Sequence, residues 1–382
     1  MILMKRKKAA KDLSKTLRSK NEEEYKILTP VQLMYRKFIN HRVAVASTIV
    51  LIILYLMILF AEFFAPYDMT KPQSAYLAAN PDRIRFFDSE GKLHFRPFVY
   101  RRTGERDLKT LRYIYPQDKN TKDFIYMFVR GDEYNMFGFI KSDIHFFGVK
   151  EGGLFLFGTD QRGRDLLSRI IFGGRISLSI GFIGVLIIVF LGSFIGTVSG
   201  YYGGWVDNGI QRFIELLRTI PQIALWMALA ATLPPGLPST YVYLGIVIIL
   251  GLIGWTGLAR EVRGKVLAIR DSDFVYAAEI SGASAKRIFF VHLIPNISSH
   301  IIVTATLTVP LMILGESALS FLGLGIKPPM TSWGLLLNQV REVQVLKYYP
   351  WLLTPALFII LSVLCFNFMG DALRDVIDPY SK

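Results

Sequence analysis

Five histidines and two carboxylates set in apolar stretches are the side chains of this 382-residue chain with the most chemistry to offer. The histidines, His41, His94, His145, His292 and His300, are scattered. His292 and His300 would share a helix face only if one helix ran through Pro295, and no H-E-x-x-H metal helix is present. A phosphate-cradling G-x-x-x-x-G-K-[ST] loop is also missing. Gly264-Lys265 is followed by Val266, and Ala259 stands where the first glycine belongs. The single cysteine, Cys365, supports neither a disulfide framework nor a thiolate metal site. The pattern offers no catalytic, cofactor-binding or metal site, and the chain reads as a non-enzyme. Charge inside a membrane is the usual mark of ion- or proton-coupled transport. Glu62 lies at the end of an apolar run, where it can reach the interface. Glu316, in "LGESALSFLGLG", is the one candidate buried polar site. It is either functional or a polar contact that fastens its helix to a neighbour. No ladder of carboxylates and histidines crosses the apolar segments, which argues against a proton-driven carrier.

The elements that would hold these residues are membrane spans. Residues 43–65, "VAVASTIVLIILYLMILFAEFFA", exceed the roughly 20 residues needed to cross a bilayer core. The run starts too deep and is too long for a secretory signal. Residues 176–200, 219–233, 241–258, 301–322 and 350–370 complete a set of six expected helical spans. The third follows an amphipathic lead at 210–218 and contains Pro221. Pro221 and Pro310 are expected to kink or break their helices. Gly192, Gly196 and Gly200 recur every four residues, a small-residue stripe that lets another helix approach closely. The expected fold class is an all-α polytopic membrane protein.

The formal net charge is +14, and residues 1–42 are strongly basic: Lys5, Arg6, Lys7, Lys8, Lys11, Lys15, Arg18, Lys20, Arg36, Lys37 and Arg42 all precede the first span. The positive-inside rule places this segment in the cytoplasm. A basic arm can also bind nucleic acid, but topology accounts for this one, and no nucleic-acid partner is expected. Six spans put the C-terminus in the cytoplasm as well. Residues 66–157 then lie outside. They read as β-rich: "RIRFFDSEGKLHFRPFVY" gives two strands about a Ser89-Glu90-Gly91 turn, and "TLRYIYP", "FIYMFVRG" and "DIHFFGV" give more.

The spans alone fit a carrier, a channel or a receptor, and the polar loop within residues 261–297 separates these. "DFVYAAEIS" should be helical, Ala277 and Ala278 present almost no side chain, and Gly282 is free to turn the chain. "AKRIFFVHLIP" then leads to the next span at Pro295. A helix, a turn and a second helix facing the cytoplasm would make a docking knob.

This loop resembles the EAA loop of ABC-importer permeases, E-A-A, three residues, then G, and a later proline. Here it stands as Tyr276-Ala277-Ala278, Glu279-Ile280-Ser281, Gly282 and, further on, Pro295. "FGTDQRGRDLLSRIIFGGRISL", "GYYGGWVD", "ESALSFLGLGIKPPMTSWG" and "FNFMGDALRDVIDP" are similar to the C-type subunit of the dipeptide/oligopeptide permeases. The resemblance is close from about Leu156 onward and weaker over the first span.

It implies the type I ABC importer permease fold, with residues 158–382 as the core and residues 66–157 as an insertion. It further implies a bacterial inner-membrane location, a second, B-type permease, two ATPase subunits that use ATP and Mg, and an extracytoplasmic substrate-binding protein. ATPase coupling would fall to Asp273, Tyr276, Ala277, Ala278, Glu279, Gly282, Ala283 and Pro295. The chain itself would bind no cofactor, and membrane lipid would surround it. Two positions depart from the pattern: Tyr276 replaces the usual Glu, and Glu279 is acidic where a basic residue is common. The insertion is far longer than the subfamily's usual linker. Contact with the binding protein, a cap over the outer mouth and mere decoration are its open roles. The solute stays open between peptides and oligosaccharides, nickel or another solute. A membrane sensor would need a larger cytoplasmic domain, and a secondary carrier would need inverted repeats.

Overall fold

The computed structural model describes residues 30–108 and 112–377. The basic residues from Lys5 to Lys20, the Lys109–Leu111 stretch within and beside "TLRYIYP", and the last five residues lie outside them. A short helix, α1 (Pro30–Asn40), leads into α2 (Arg42–Leu59) and a single turn, α3 (Ala61–Phe64). Strands follow: β1 (Arg85–Phe87), β2 (Leu93–Arg102), β3 (Glu105–Arg106), β4 (Tyr113–Ile114), β5 (Gln117–Met136) and β6 (Ile140–Val149). The remainder is helical: α4 (Leu166–Tyr202), α5 (Gly204–Thr219), α6 (Gln222–Ala231), α7 (Ser239–Ile269), α8 (Asp273–Ile280) and α9 (Ala285–Phe321), whose second turn is a π turn at Ile288–Leu293. Two short helices, α10 (Trp333–Asn338) and α11 (Val343–Tyr348), precede α12 (Thr354–Ile377).

Among the described residues, five helices are long and apolar enough to cross a bilayer, α2, α4, α7, α9 and the Pro350–Ile377 unit that contains α12, and the bent pair α5 and α6 taken together would make a sixth. The expected third span at 219–233 is not a continuous helix. It is a pair, α5 and α6, bent by 83°. At about 1.5 Å per residue, the ten residues of α6 reach only half of the roughly 30 Å hydrocarbon layer. Pro221 sets the break. The residue before a proline is driven to extended backbone, and Ile220 has ψ 130°. Pro310, by contrast, sits inside an unbroken α9. Its neighbour Val309 is buried against α4 at Gly181.

The strands occupy residues 85–149, narrower than the expected 66–157. β1, β2, β5 and β6 form one antiparallel sheet in that order, and β3 and β4 a separate pair. The Ser89-Glu90-Gly91 turn joins β1 to β2, with Gly91 at φ +81°. β5 runs on through Gly131, where the register slips between Arg130 and Tyr134. The flanking coil ties the sheet to the helices: Thr159 Oγ1 accepts from Ala79 N at 2.8 Å, and Thr159 O accepts from the Trp351 indole at 3.0 Å.

α4 and α7 pack against each other most intimately. A Cβ on Gly192 would meet Leu258 at 2.9 Å, one on Gly196 would meet Ala259 O at 2.5 Å, and one on Gly200 would meet Val266 at 2.8 Å. Gly251 of α7 returns the contact against Ile187 at 2.9 Å. Lipid tails are as apolar as the side chains, so close van der Waals contact of this kind is what draws such helices together.

Candidate functional site

The loop between α7 and α9 projects from the end of the bundle opposite the sheet. Of residues 261–297, those up to Ile269 continue α7 and those from Ala285 belong to α9. α8 ends in a Schellman motif, in which the last carbonyls are closed by amides beyond the helix. Ala283 N donates to Ala278 O at 3.0 Å and Gly282 N to Glu279 O at 2.9 Å. Gly282 takes φ +76°, and a Cβ there would meet nothing within 4 Å. Its requirement for glycine is therefore one of backbone conformation, not of space.

The two alanines of the loop have different surroundings. Ala277 is exposed, together with Asp273, Tyr276 and Ile280, the last 88% exposed. Ala278 and Ala283 are half-buried and pack on the core beside the fully buried Val275. Small size at 278 and 283 thus seats α8 on the bundle, whereas small size at 277 leaves its outer face open. Pro295 lies inside α9, two residues after the π turn. That proline can offer no N–H to the preceding turn, and the Asn296 amide donates to His292 O at 2.6 Å beside it.

Side-chain contacts from several elements anchor this end. Glu279 accepts from the Tyr201 hydroxyl at 2.6 Å, and the Tyr201 ring lies edge-on to Phe289, with centroids 5.1 Å apart. Gly203 and Gly204, both at positive φ, turn the chain from α4 into α5. Asp207 then takes two bonds from Arg263 of α7 and one from Ser199. Arg270 donates to Gly200 O at 3.2 Å. The fragment "GYYGGWVD" supplied the signal for Tyr201, Gly203, Gly204 and Asp207, but Glu279, which Tyr201 meets, and Arg263, which Asp207 meets, lie 78 and 56 residues away.

Glu316 is fully buried near the sheet end of α9. It accepts from Ser177 Oγ of α4 at 2.9 Å and from Ser320 Oγ at 2.6 Å, with Ser317 Oγ farther off at 3.5 Å. Ser177 Oγ in turn accepts from Trp333 N at 3.1 Å, and Ser320 Oγ from Ile326 N at 3.0 Å. The Ser177 and Ser320 hydroxyls each receive a backbone N–H and send their own proton to the carboxylate. The arrangement is complementary to a group that only accepts. It joins α4, α9 and the loop 322–349 at one point. Gly325 and Gly334 leave room for the loop: a Cβ on either would collide with Ser320 or Ser317.

Two charged residues fall outside the spans drawn from hydropathy. Arg175 of α4 reaches back to Glu62, with both contacts at 2.8 Å. Glu261 of α7 accepts from Thr304 Oγ1 at 2.9 Å and lies 3.2 Å from His300 Nε2, both on α9. Glu261, Thr304 and Thr308 line an open groove between α7 and α9 that also takes in Lys265 and Arg374. Among the described residues no three His, Cys, Asp or Glu side chains gather as a metal-holding group.

Such a bundle, with a small-residue helix pair, a mixed polar and apolar groove and a protruding helical loop, defines a multi-pass membrane protein. The family of binding-protein-dependent transport system inner membrane components matches residues 188–381. The N-terminal transmembrane domain of oligopeptide transport permease C matches residues 29–81. The oligopeptide transport system permease protein OppC of Haemophilus influenzae is 45% identical over 232 residues, 60% of this chain and 72% of its own. The dipeptide transport system permease protein DppC of Bacillus subtilis is 42% identical over 223 residues, 58% of this chain and 68% of its own. An inward-facing structure of the methionine ABC transporter MetNI aligns with TM-score 0.43 and 16% identity over 55% of this chain and 97% of that one. The chain belongs to the family of binding-protein-dependent transport system inner membrane components. It is a permease subunit of an ABC importer, a transport component that works with other transporter subunits.

Proposed function

We propose that this permease imports oligopeptides or dipeptides as the C-type half of a heteromeric pore, and that α8 is the contact through which ATPase subunits drive it. The peptide assignment rests on the two relatives, both named as peptide permeases. The coupling assignment rests on one observation: α8 presents an open face at Ala277 while its other side is bonded to α4 through Glu279 and Tyr201. A force applied to α8 would reach α4 through this bond, and α7 and α9 through their packing on α4. A B-type permease facing the Glu261–Thr304 groove would complete the path. Two ATPases would supply ATP and Mg chemistry, and a binding protein would deliver solute on the sheet side. In this reading the chain binds no cofactor, its termini and α8 lie in the cytoplasm of a bacterial inner-membrane protein, and residues 85–149 lie outside.

The test is co-purification of the ATPase subunits, with transport assayed in parallel. Ala277→Arg fills the open face and should abolish both while the chain still inserts. Gly282→Arg should do the same, because an L side chain in this left-handed conformation costs about 1–2 kcal/mol. Glu279→Arg removes an exposed hydrogen bond and should weaken coupling only partly. Wild-type ATPase capture and transport in both Ala277→Arg and Gly282→Arg would refute the assignment of α8.

A further inference from the structure

We propose that the β5–β6 hairpin is a lipid anchor: its tip, Phe137-Gly138-Phe139 with Ile140, inserts into the bilayer leaflet at the end of α2 next to the sheet. Depth is the first observation. α2 has 18 residues, about 27 Å of helix, which nearly matches the hydrocarbon layer. The residue that ends it, Phe60, therefore marks the boundary between acyl chains and headgroups. The Phe137 ring lies against Phe60, with centroids 5.7 Å apart, and Phe139 continues the row at 6.3 Å. Higher on the hairpin, Phe128 and Phe146 pack on Phe63, at 6.1 and 5.7 Å. Phe63 follows Phe60 as the chain leaves α2, so the hairpin descends towards the bilayer and its tip is the deepest part.

Continuity is the second observation. Leu56 and Leu59 of α2 are half-exposed on the surface of a membrane-crossing helix, where lipid is the solvent. The same apolar surface passes through Phe60 to Phe139, which is 77% exposed. Interfacial amphipathic segments bury Trp, Phe and Leu side chains at the boundary between headgroups and acyl chains. A contiguous apolar surface of this kind in water would be an aggregation liability.

The turn itself is the third. Phe137 at φ +53° and Gly138 at φ +83° are the central residues of a tight turn closed by Phe139 N to Met136 O at 3.3 Å. Both positions need positive φ, which favours Asn or Gly at the first of them. A bulky residue there is strained, and backbone strain of this sort persists where a side chain has a task. The task that fits the depth and continuity is burial of the ring in lipid.

Spin labelling of the full-length chain in bilayer discs of mixed zwitterionic and anionic phospholipid tests this. In a Cys365→Ala background, one nitroxide is placed at Phe139→Cys, another at Ile140→Cys, and a reference at Phe95→Cys, which is 99% exposed on β2. Collisions with oxygen, which concentrates in lipid, are compared with those of a water-soluble nickel chelate. Labels at 139 and 140 should favour oxygen and report nickel access several-fold below the label at 95. Nickel access at both tip positions equal to that at 95 overturns the proposal. So does protection that arises only when the partner permease or the binding protein is added, since the surface would then belong to a protein contact.

Discussion

Glu316→Gln separates the two roles a buried membrane carboxylate can have. If Glu316 fastens α4 and the loop 322–349 to α9, its worth lies in the hydrogen bonds from Ser177 and Ser320. Interhelical hydrogen bonds in membrane proteins contribute about 0.6 kcal/mol on average and up to about 1.7. Glutamine keeps one accepting oxygen and sets an N–H pair against a hydroxyl that already takes a backbone amide. The loss should be about 1–2 kcal/mol. Glu316→Ala removes both acceptors and leaves two buried hydroxyl protons unpaired, at about 1–3 kcal/mol each, so roughly 2–6 kcal/mol. The indole of Trp333 sits in the same cluster and donates to Ile170 O at 2.9 Å. Tryptophan fluorescence during thermal unfolding in detergent can follow this region, and transport by the reconstituted importer is measured beside it. The fastener role requires stability to fall in the order wild type, Gln, Ala, with transport tracking stability. A Glu316→Gln protein of wild-type stability that transports nothing would refute it and assign the carboxylate to the transport step itself.

Gly196→Leu should destabilise the α4–α7 pair by about 1–3 kcal/mol, the usual cost of overpacking, because its Cβ would lie 2.5 Å from Ala259 O. Gly209→Leu, where a Cβ meets nothing within 4 Å, should be far milder in the same unfolding assay. In the β1–β2 turn, the Lys122 ammonium at 2.7 Å and the His94 ring at 3.0 Å hold the Asp88 carboxyl well below the usual carboxylate range, with backbone N–H groups adding to the effect. A carboxylate with a lowered folded pKa contributes stability above its unfolded pKa of about 3.9, and that contribution is lost as pH falls through the folded value. Protection of β2 amides against hydrogen exchange in the full chain, corrected for the intrinsic pH dependence of exchange, should therefore fall with acidification below about pH 4. Asp88→Asn should flatten that dependence, and an unchanged pH profile would show that the contact is energetically idle.

Whatever depends on local composition was legible in the chain alone. A run of apolar residues long enough to cross lipid has one physical solution, so α2, α4, α7, α9 and α12 were legible from hydropathy. Alternating aromatics around Asp88–Gly91 and in "DIHFFGV" marked strands for the same reason. The helix–turn–helix outline of the loop, with glycine at 282, followed from local backbone preference. Spatial relations over long separations were not legible. Residues 219–233 read as one straight span, whereas the sixth crossing would be made by α5 and α6 together, with an 83° bend that hydropathy cannot register. Ala277 and Ala278 look alike in the chain, and only the seating of α8 turns one outward and the other in. Arg175 and Glu261 fell outside the apolar windows, yet folding pairs the one with Glu62, 113 residues away, and sets the other beside Thr304, 43 residues away. The acceptor role of Glu316 depends on a serine 139 residues distant. Local order is written in neighbouring side chains, whereas these partnerships arise from packing several helices together, which no single segment encodes.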